Sequence, residues 1–458
     1  MVNLWPDQLL LLNGIFNQPY KVSLKENQML NKFFEIEKRN STIKKEIIGG
    51  ATTFLTMAYI IFVNPSILGD AGMNKEALIS VTIIASIIGT ILAGVWAKVP
   101  YAMAPGMGLN AFFTYTLVMG QNVAWETALG IVFISGIVFL LLTVTGIRTK
   151  IIHTIPLSLR LAVGAGIGLF ISFIGFKNMG LIVDNPATLV GLGKFTPSLI
   201  IGLIGLLITA ILEVRKVRGG IFYGIIITTI IALVSGQVQA PNSIVSLPPS
   251  IEPILFKLDI LSALSFSLIG AVFSFMFVDL FDSVGTIVAC SYEAGFVDKK
   301  GRVENVDRIL EADAVATVVG SLLGTSTTTT YIESAAGIAN GARTGFASVI
   351  TAGLFFLALF FAPLIGIVPA YATAPALIIV GVYMFKNIKD IDFNDFSEGI
   401  PAFLTIVLMP LTYSISIGLS FGFVSYVVLK LASGNVKDIS WLMWLISILS
   451  VVNLYLSA

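Results

Sequence analysis

Residues 324–345 read GTSTTTTYIESAAGIANGARTG, with six threonines, two serines and one glutamate between two strongly apolar stretches. In water this would be an ordinary loop. Inside a membrane it needs a purpose, because no water is there to pair with its backbone and hydroxyls. The flanks decide the setting. The chain is 56% hydrophobic and 12% charged, with a mean hydropathy of +0.94, whereas soluble domains carry charges at about a quarter of positions. Stretches such as ALISVTIIASIIGTILAGVWA and ALGIVFISGIVFLLLTVTG recur from residue 47 onward. Each approaches the roughly 20 residues that cross a hydrocarbon core of about 30 Å. The sequence is that of an all-α polytopic membrane protein.

On either side of this stretch, apolar segments fall at 47–68, 77–97, 104–119, 124–146, 156–176, 196–213, 219–237, 264–289, 308–323, 333–342, 344–367, 370–385, 399–413 and 414–432. A further apolar stretch lies at 438–457, within a C-terminal piece 433–458. Residues 1–46 read as a cytoplasmic tail. Its first 28 residues carry a run of only four leucines and no basic start, too short for a secretory signal, and Met29 is an alternative start. Lys and Arg alternate across the segments. One side holds Lys32, Lys38, Arg39, Lys44 and Lys45, then Arg148/Lys150, Arg215/Lys216/Arg218, Lys299/Lys300/Arg302/Arg308, Arg343, Lys386/Lys389 and Lys430/Lys437. The other holds Lys75, Lys177, Lys194 and Lys257. By the positive-inside rule the N-terminus is cytoplasmic, in a cell membrane.

A repeat underlies these segments. ASIIGTILAG at 85–94 aligns with ATVVGSLLGT at 316–325, and at the same offset of 231 Ala104, Gly106 and Ala111 fall on Ala335, Gly337 and Ala342. GGATTFLTMAYI at 49–60 lies over IGAVFSFMFVDL at 269–280. Small-residue helix contacts resemble each other by chance, but spacing held over two successive segments favours duplication. Two copies of seven segments insert with opposite orientation, the 7+7 inverted repeat of secondary transporters. The short, glycine-rich third and tenth segments then face each other near the midplane. Their approaches, KVPYAMAP (98–105) and TSTTTTYI (325–332), are predicted to pair as two short antiparallel strands leading into half-helices 3 and 10. Such backbone survives at membrane depth only where protein or a cavity surrounds it, and both half-helices aim free N–H groups at one central site.

Ionisable residues within the segments need reasons of their own. FSFMFVDLFDSVGTIV carries Asp279 and Asp282, three apart and so on one helical face. Glu333 follows the threonine run directly. A helix-capping acid is the bland reading of Glu333, and a pair buttressing neighbouring helices that of the aspartates. With no evident basic partner, three carboxylates cannot all be charged in a dry core without large cost. Proton coupling and sodium coordination both remain open, and an anionic substrate is disfavoured. Asn110 in APGMGLNAFF offers an amide for packing or for substrate, while Thr52, Thr53 and Thr56 mix back-bonding with site lining. Thr330 is a candidate substrate contact and Gly108 a candidate lining position. Phe112, Phe113 and Phe275 can stack on a flat ligand, although core packing is the default among 32 phenylalanines. Glu311 and Asp313 read as solvated or paired with Arg308. Cys290, alone, excludes an internal disulfide, and His153 beside Arg148 and Lys150 reads as a loop residue. No cofactor, resident metal or nucleic-acid partner is expected, and no phosphate loop or nucleophile motif supports an enzyme or an ATP-driven pump.

The stretches GGATTFLTMAYIIFVNPSIL, APGMGLNAFF, FVDLFDSVGT and TTTTYIESAAGIANGARTG resemble the nucleobase–cation symporters, in the adenine/guanine/hypoxanthine permease branch. The likeness runs from about Ile47 to Ala432, with all four motifs in order. It implies fourteen segments split into core and gate. The core would take 47–146 and 262–367, the gate 147–240 and 368–432. It also implies uptake of a purine base with a proton, by elevator-like movement of core against gate. Residue by residue, Glu333 would accept hydrogen bonds from purine N–H groups and share in proton coupling. Asp279 would be the second substrate-facing carboxylate, Asp282 the proton-linked one, and Asn110 a base contact. Uracil and xanthine permeases tend to carry glutamate where this eighth segment has aspartate, and the shorter arm suits a two-ring base. Related gate domains often dimerise, which implies a homodimer. Competing functions are an anion transporter of the sulfate-permease type, which Glu333 argues against, and an uncoupled nucleobase facilitator.

Overall fold

The computed structural model describes residues 24–145, 155–241, 243–298 and 302–457. His153, Arg148, Lys150, Lys299 and Lys300 lie outside the described residues, as do residues 1–23 of the tail. A short helix α1 (Leu24–Phe34) precedes the first predicted segment, which is broken into α2 (Ile43–Met57) and α3 (Ile60–Asp70). Next come α4 (Lys75–Ile91), strand β1 (Met103–Pro105), the half-helix α5 (Met107–Ala111) with its π-helical continuation Phe112–Gly120, and α6 (Trp125–Val144). Then follow α7 (Leu157–Met179), strands β2 (Ile182–Asn185) and β3 (Leu189–Leu192), α8 (Pro197–Val214) and α9 (Gly220–Val234). The second half runs through α10 (Ile260–Ala263), α11 (Ile269–Ala294), α12 (Val306–Leu323), β4 (Thr328–Thr330) and α13 (Ser334–Ala339). It ends with α14 (Gly345–Ala358), α15 (Ala362–Gly366), α16 (Ala370–Phe385), α17 (Phe396–Leu411), α18 (Ile415–Ala432) and α19 (Trp441–Ser457).

Every predicted segment coincides with one of these helices or strand–helix units. Among the described residues, nine helices are long and apolar enough to cross a membrane, and Gly220–Val234, Phe396–Leu411 and Trp441–Tyr455 are shorter apolar ones. α12 is not among the nine, because Asp307, Arg308, Glu311 and Asp313 crowd one helix. The all-α description needs one correction. β2 and β3 form an antiparallel hairpin with Val183 opposite Gly191, in the connection between α7 and α8.

The threonine run is wholly interior. Thr325 to Thr330, with Ser326 among them, are each at most 2% exposed. β4 pairs antiparallel with β1, Met103 opposite Thr330 and Pro105 opposite Thr328. β-Branched threonines suit an extended backbone, and the bonds that the two strands leave over are taken locally. Gly106 N donates to Thr327 O and Tyr331 N to Ala102 O, both at 2.9 Å. Thr90 of α4 accepts from Met103 N at 3.0 Å and donates to Met103 O at 3.1 Å, and Thr317 of α12 donates to Thr328 O at 3.1 Å. The strands sit this close to their helices because both contact points are glycine. A Cβ on Gly89 of α4 would fall 2.9 Å from Met103 Cβ, and one on Gly320 of α12 would fall 2.6 Å from Thr328 Oγ1. Gly89 and Gly320 lie 231 residues apart, the offset of the sequence match between 85–94 and 316–325.

Helix contacts recur in the same sense. α2 packs on α14 as α11 packs on α6, and α4 on α14 as α12 on α6. α8 meets α16 and α9 as α17 meets α7 and α18, while α7 and α16 share an extensive face. The strand cross lies near the centre of this pattern.

Candidate functional site

The strand cross ends beside a cavity of about 570 Å³. One wall is made by the first turn of α5, the middle of α11 and the β4–α13 junction. The opposite wall comes from α7 and α16. Asp282, Thr330, Glu333 and Gly108, predicted from sequence, all line it, and so does Tyr59. Glu333 stands immediately before α13, yet its side chain makes no capping bond to that helix. The Tyr59 hydroxyl instead donates to Glu333 Oε1 at 2.5 Å.

Asp279 takes a different place. At 3.6 residues per turn, a spacing of three leaves the two aspartates about 60° apart around α11, enough to separate them here. Asp282 reaches the cavity, whereas Asp279 turns inward, 1% exposed, and accepts from the Ser283 hydroxyl at 3.2 Å. Asp313 shares that interior. It was expected to be solvated or paired with Arg308, but it is fully buried and Arg308 is exposed. Five residues apart, the two point about 140° away from each other around the helix. Asp313 Oδ1 accepts from Thr330 N at 2.9 Å and from Thr330 Oγ1 at 3.2 Å, and its Oδ2 accepts from Ser283 Oγ at 2.6 Å. Thr330 therefore shows its face to the cavity because Asp313 fixes it from behind. Glu311 accepts from Trp96 Nε1 at 3.1 Å.

Asn110 is fully buried and lies off the cavity wall. Its Nδ2 donates to Asn64 Oδ1 at 2.6 Å, and Asn64 Nδ2 donates to Thr82 Oγ1 at 2.7 Å and to Thr325 Oγ1 at 3.1 Å. This amide chain ties α3, α4 and α5 to the start of the threonine run. Thr52 and Thr56 back-bond to Ile48 O and Thr52 O, and Thr56 also approaches Glu333 O at 3.4 Å. Phe275 packs on Phe112 with ring centroids 4.8 Å apart, within the core.

Two cavity groups escaped the sequence reading. Arg160, in the first turns of α7, lines the wall facing α11, although the sequence showed no evident cation at this depth. Tyr383 of α16 lines it too and donates its hydroxyl proton to Glu213 of α8. A second cavity, about 660 Å³, lies between the end of the π-helical turn, the start of α11 and α18. Its wall carries Gln121, Thr127, Ser416 and Asn453 but no titratable side chain.

Two polar half-element junctions, carboxylates on one wall and a mostly apolar facing wall make a binding chamber rather than a reaction centre. Comparison with known proteins agrees. A family model described as "Permease family" matches residues 44–425. A permease of Methanocaldococcus jannaschii is 50% identical over 423 residues, covering 92% of this chain and 97% of that one. The adenine permease AdeP of Escherichia coli K12 is 41% identical, covering 93% and 96%, and the guanine/hypoxanthine permease PbuG of Bacillus subtilis 168 is 41% identical, covering 90% and 96%. In fold, the chain resembles the transmembrane domain of the cyanobacterial bicarbonate transporter BicA, with a TM-score of 0.63 at 14% identity over 83% of this chain and 97% of that one. With its apolar helices, its binding chamber and a family match spanning most of its length, this chain belongs to the permease family, as a multi-pass membrane transporter and not an enzyme.

Proposed function

We propose that the protein imports purine nucleobases (hypoxanthine, guanine or adenine) across the cell membrane. The observation that carries this reading is Glu333, an acceptor held at the mouth of a half-helix on the chamber wall, in a chain 41% identical to an adenine permease and to a guanine/hypoxanthine permease. A purine presents N–H donors for Glu333 and a flat apolar face for Ile167, Val380 and Phe281 on the chamber wall. Thr330 is the adjacent contact. Asp279 and Asn110 support this wall from behind through Ser283 and Asn64.

Transport is coupled to a proton carried by Asp282 and Glu333, with sodium as the alternative ion. The recurring helix pairs support fourteen segments as a 7+7 inverted repeat, with core (47–146, 262–367) moving against gate (147–240, 368–432) in elevator fashion. The N-terminus is cytoplasmic, and two copies associate through the gate. Arg160 is the one observation on the side of an anionic substrate. Asp282 and Glu333 share the chamber with it and would repel an anion by several kcal/mol at close range in a medium less polar than water.

Uptake of labelled hypoxanthine, guanine and adenine into proteoliposomes, under imposed pH or sodium gradients, tests the reading. Accumulation driven by an inward proton gradient is expected. No accumulation of any purine under either gradient would refute it, and bicarbonate or sulfate uptake in its place would favour the anion reading.

A further inference from the structure

A carboxyl within a membrane-spanning helix is costly and needs a use. Glu213 is the last residue but one of the apolar helix α8 and is half-buried there. Among the described residues it forms no ion pair, although Arg215, Lys216 and Arg218 follow it closely and are exposed. It accepts instead from the hydroxyl of Tyr383 on α16, and Tyr383 lines the chamber. On the facing wall the Tyr59 hydroxyl donates to Glu333 in the same way. Each wall thus carries one carboxylate–phenol pair.

The two pairs are near neighbours. A Cβ on Gly220 would fall 2.5 Å from Glu213 Oε1, and one on Gly219 would fall 2.9 Å from Leu55 O. Leu55 adjoins Thr56, whose hydroxyl approaches Glu333 O at 3.4 Å. Glu213 acts electrostatically on Glu333, and Glu333 on Tyr383. The other charged or titratable groups at this end of the packed helices are Arg160 of α7, Tyr223 of α9, and Lys386, Lys389 and Asp390 after α16. Lys177, Tyr371 and Asp70 stand at the opposite ends of those helices, and Asp282 faces the pair from α11.

We propose that Glu213 takes the transported proton out of the chamber, with the Tyr383 hydroxyl as the bridge. Once the base has left, the proton on the Glu333 carboxyl passes through chamber water to the Tyr383 oxygen, while the phenol's own proton passes to Glu213. A hydroxyl can accept and donate at once, and one water suffices to extend the reach of a proton-transfer group. The O–H bond of Glu333 breaks, that of Glu213 forms, and the phenol exchanges one proton for another and stays neutral. The net change is one proton moved from Glu333 to Glu213, which releases it to solvent beyond the end of α8. That end is the one that the Lys and Arg distribution assigns to the cytoplasm, where an importer must give up its proton. This inference rests on the purine and proton readings above.

The test compares wild type, Glu213→Gln and Tyr383→Phe in proteoliposomes with labelled hypoxanthine, alongside thermal unfolding. Two rates are read for each protein: accumulation driven by an inward proton gradient, and exchange of labelled for unlabelled base without a gradient. Exchange carries the base across and back on the protonated carrier, so it requires no proton release. Glutamine keeps the shape of Glu213 and still accepts from Tyr383, so E213Q removes the proton site and leaves the tie between α8 and α16. Both variants are expected to keep exchange and the wild-type unfolding temperature, while proton-driven accumulation slows about a hundredfold, as when a positioned acid–base group is removed. Wild-type accumulation in E213Q overturns the proposal, and wild-type accumulation in Y383F alone removes the bridge from it. Loss of exchange together with accumulation also overturns it, and makes the pair part of the binding site or, if the unfolding temperature falls, a structural tie. A wild type that exchanges hypoxanthine without responding to a proton gradient refutes the coupling and this inference with it. If wild type moves no purine at all, the purine reading falls first.

Discussion

Ser283 has one hydroxyl proton and lies within reach of two buried carboxyls, Asp279 Oδ1 at 3.2 Å and Asp313 Oδ2 at 2.6 Å. A hydroxyl donates one bond. Both contacts are hydrogen bonds together only when one of the two carboxyls carries a proton and donates it back to Ser283. The other end of Asp313 holds the backbone N–H and the hydroxyl of Thr330, so protonation in this interior is one residue away from the chamber wall. Asp313→Asn would place an amide donor among donors. It is expected to destabilise the protein by about 1–3 kcal/mol, as buried polar groups lose their partner, and to reduce purine uptake at least about tenfold, which is one 1.4 kcal/mol step. Thermal unfolding and initial uptake rates check both, and wild-type behaviour in either would show that Thr330 does not depend on Asp313. Asp313 was not legible from sequence, because a carboxyl five residues after an arginine reads as a surface pair until the helix is placed against its neighbours.

At the scale of elements, the strand cross is the part that local chemistry foretells best. A run of β-branched threonines, matched by KVPYAMAP from the other half, can satisfy its backbone in a membrane only by pairing, and the two stretches do pair. The break of the first segment at Ala58–Tyr59 was hidden, since no proline or glycine marks it and only the reach of Tyr59 to Glu333 gives it a purpose. The α4 and α12 glycines supply a test. Gly320→Val would drive a side chain into Thr328, where even a Cβ would sit 2.6 Å from Oγ1. Overpacking of this kind costs about 1–3 kcal/mol and displaces the backbone. We expect G320V to retain its helices by circular dichroism while losing purine binding. A variant that binds purine as wild type does would mean that the strand cross does not position the site.

For the whole molecule, the question is whether the two walls of the chamber move relative to each other. A Cβ at position 108 would lie 3.9 Å from Ile167 Cβ, inside the roughly 3.5–4.5 Å range that a disulfide spans. Cys290, the one native cysteine, is buried and will not interfere. The double variant Gly108→Cys/Ile167→Cys is therefore expected to cross-link α5 to α7 under mild oxidation, to lose most uptake, and to regain part of it on reduction. Uptake that persists in fully cross-linked protein would exclude movement of one wall against the other. Read alone, the sequence revealed the membrane setting, the paired strands and Glu333 beside them, because apolar length and β-branched runs are local properties that no packing can reverse. Only the tertiary structure separated Asp282 from Asp279, buried Asp313 and Asn110 in supporting networks, and brought Tyr59 and Arg160 to the chamber. Those assignments depend on which way a helix is turned, and a rotation of one residue, about 100°, decides whether a side chain meets the substrate or the neighbouring helix.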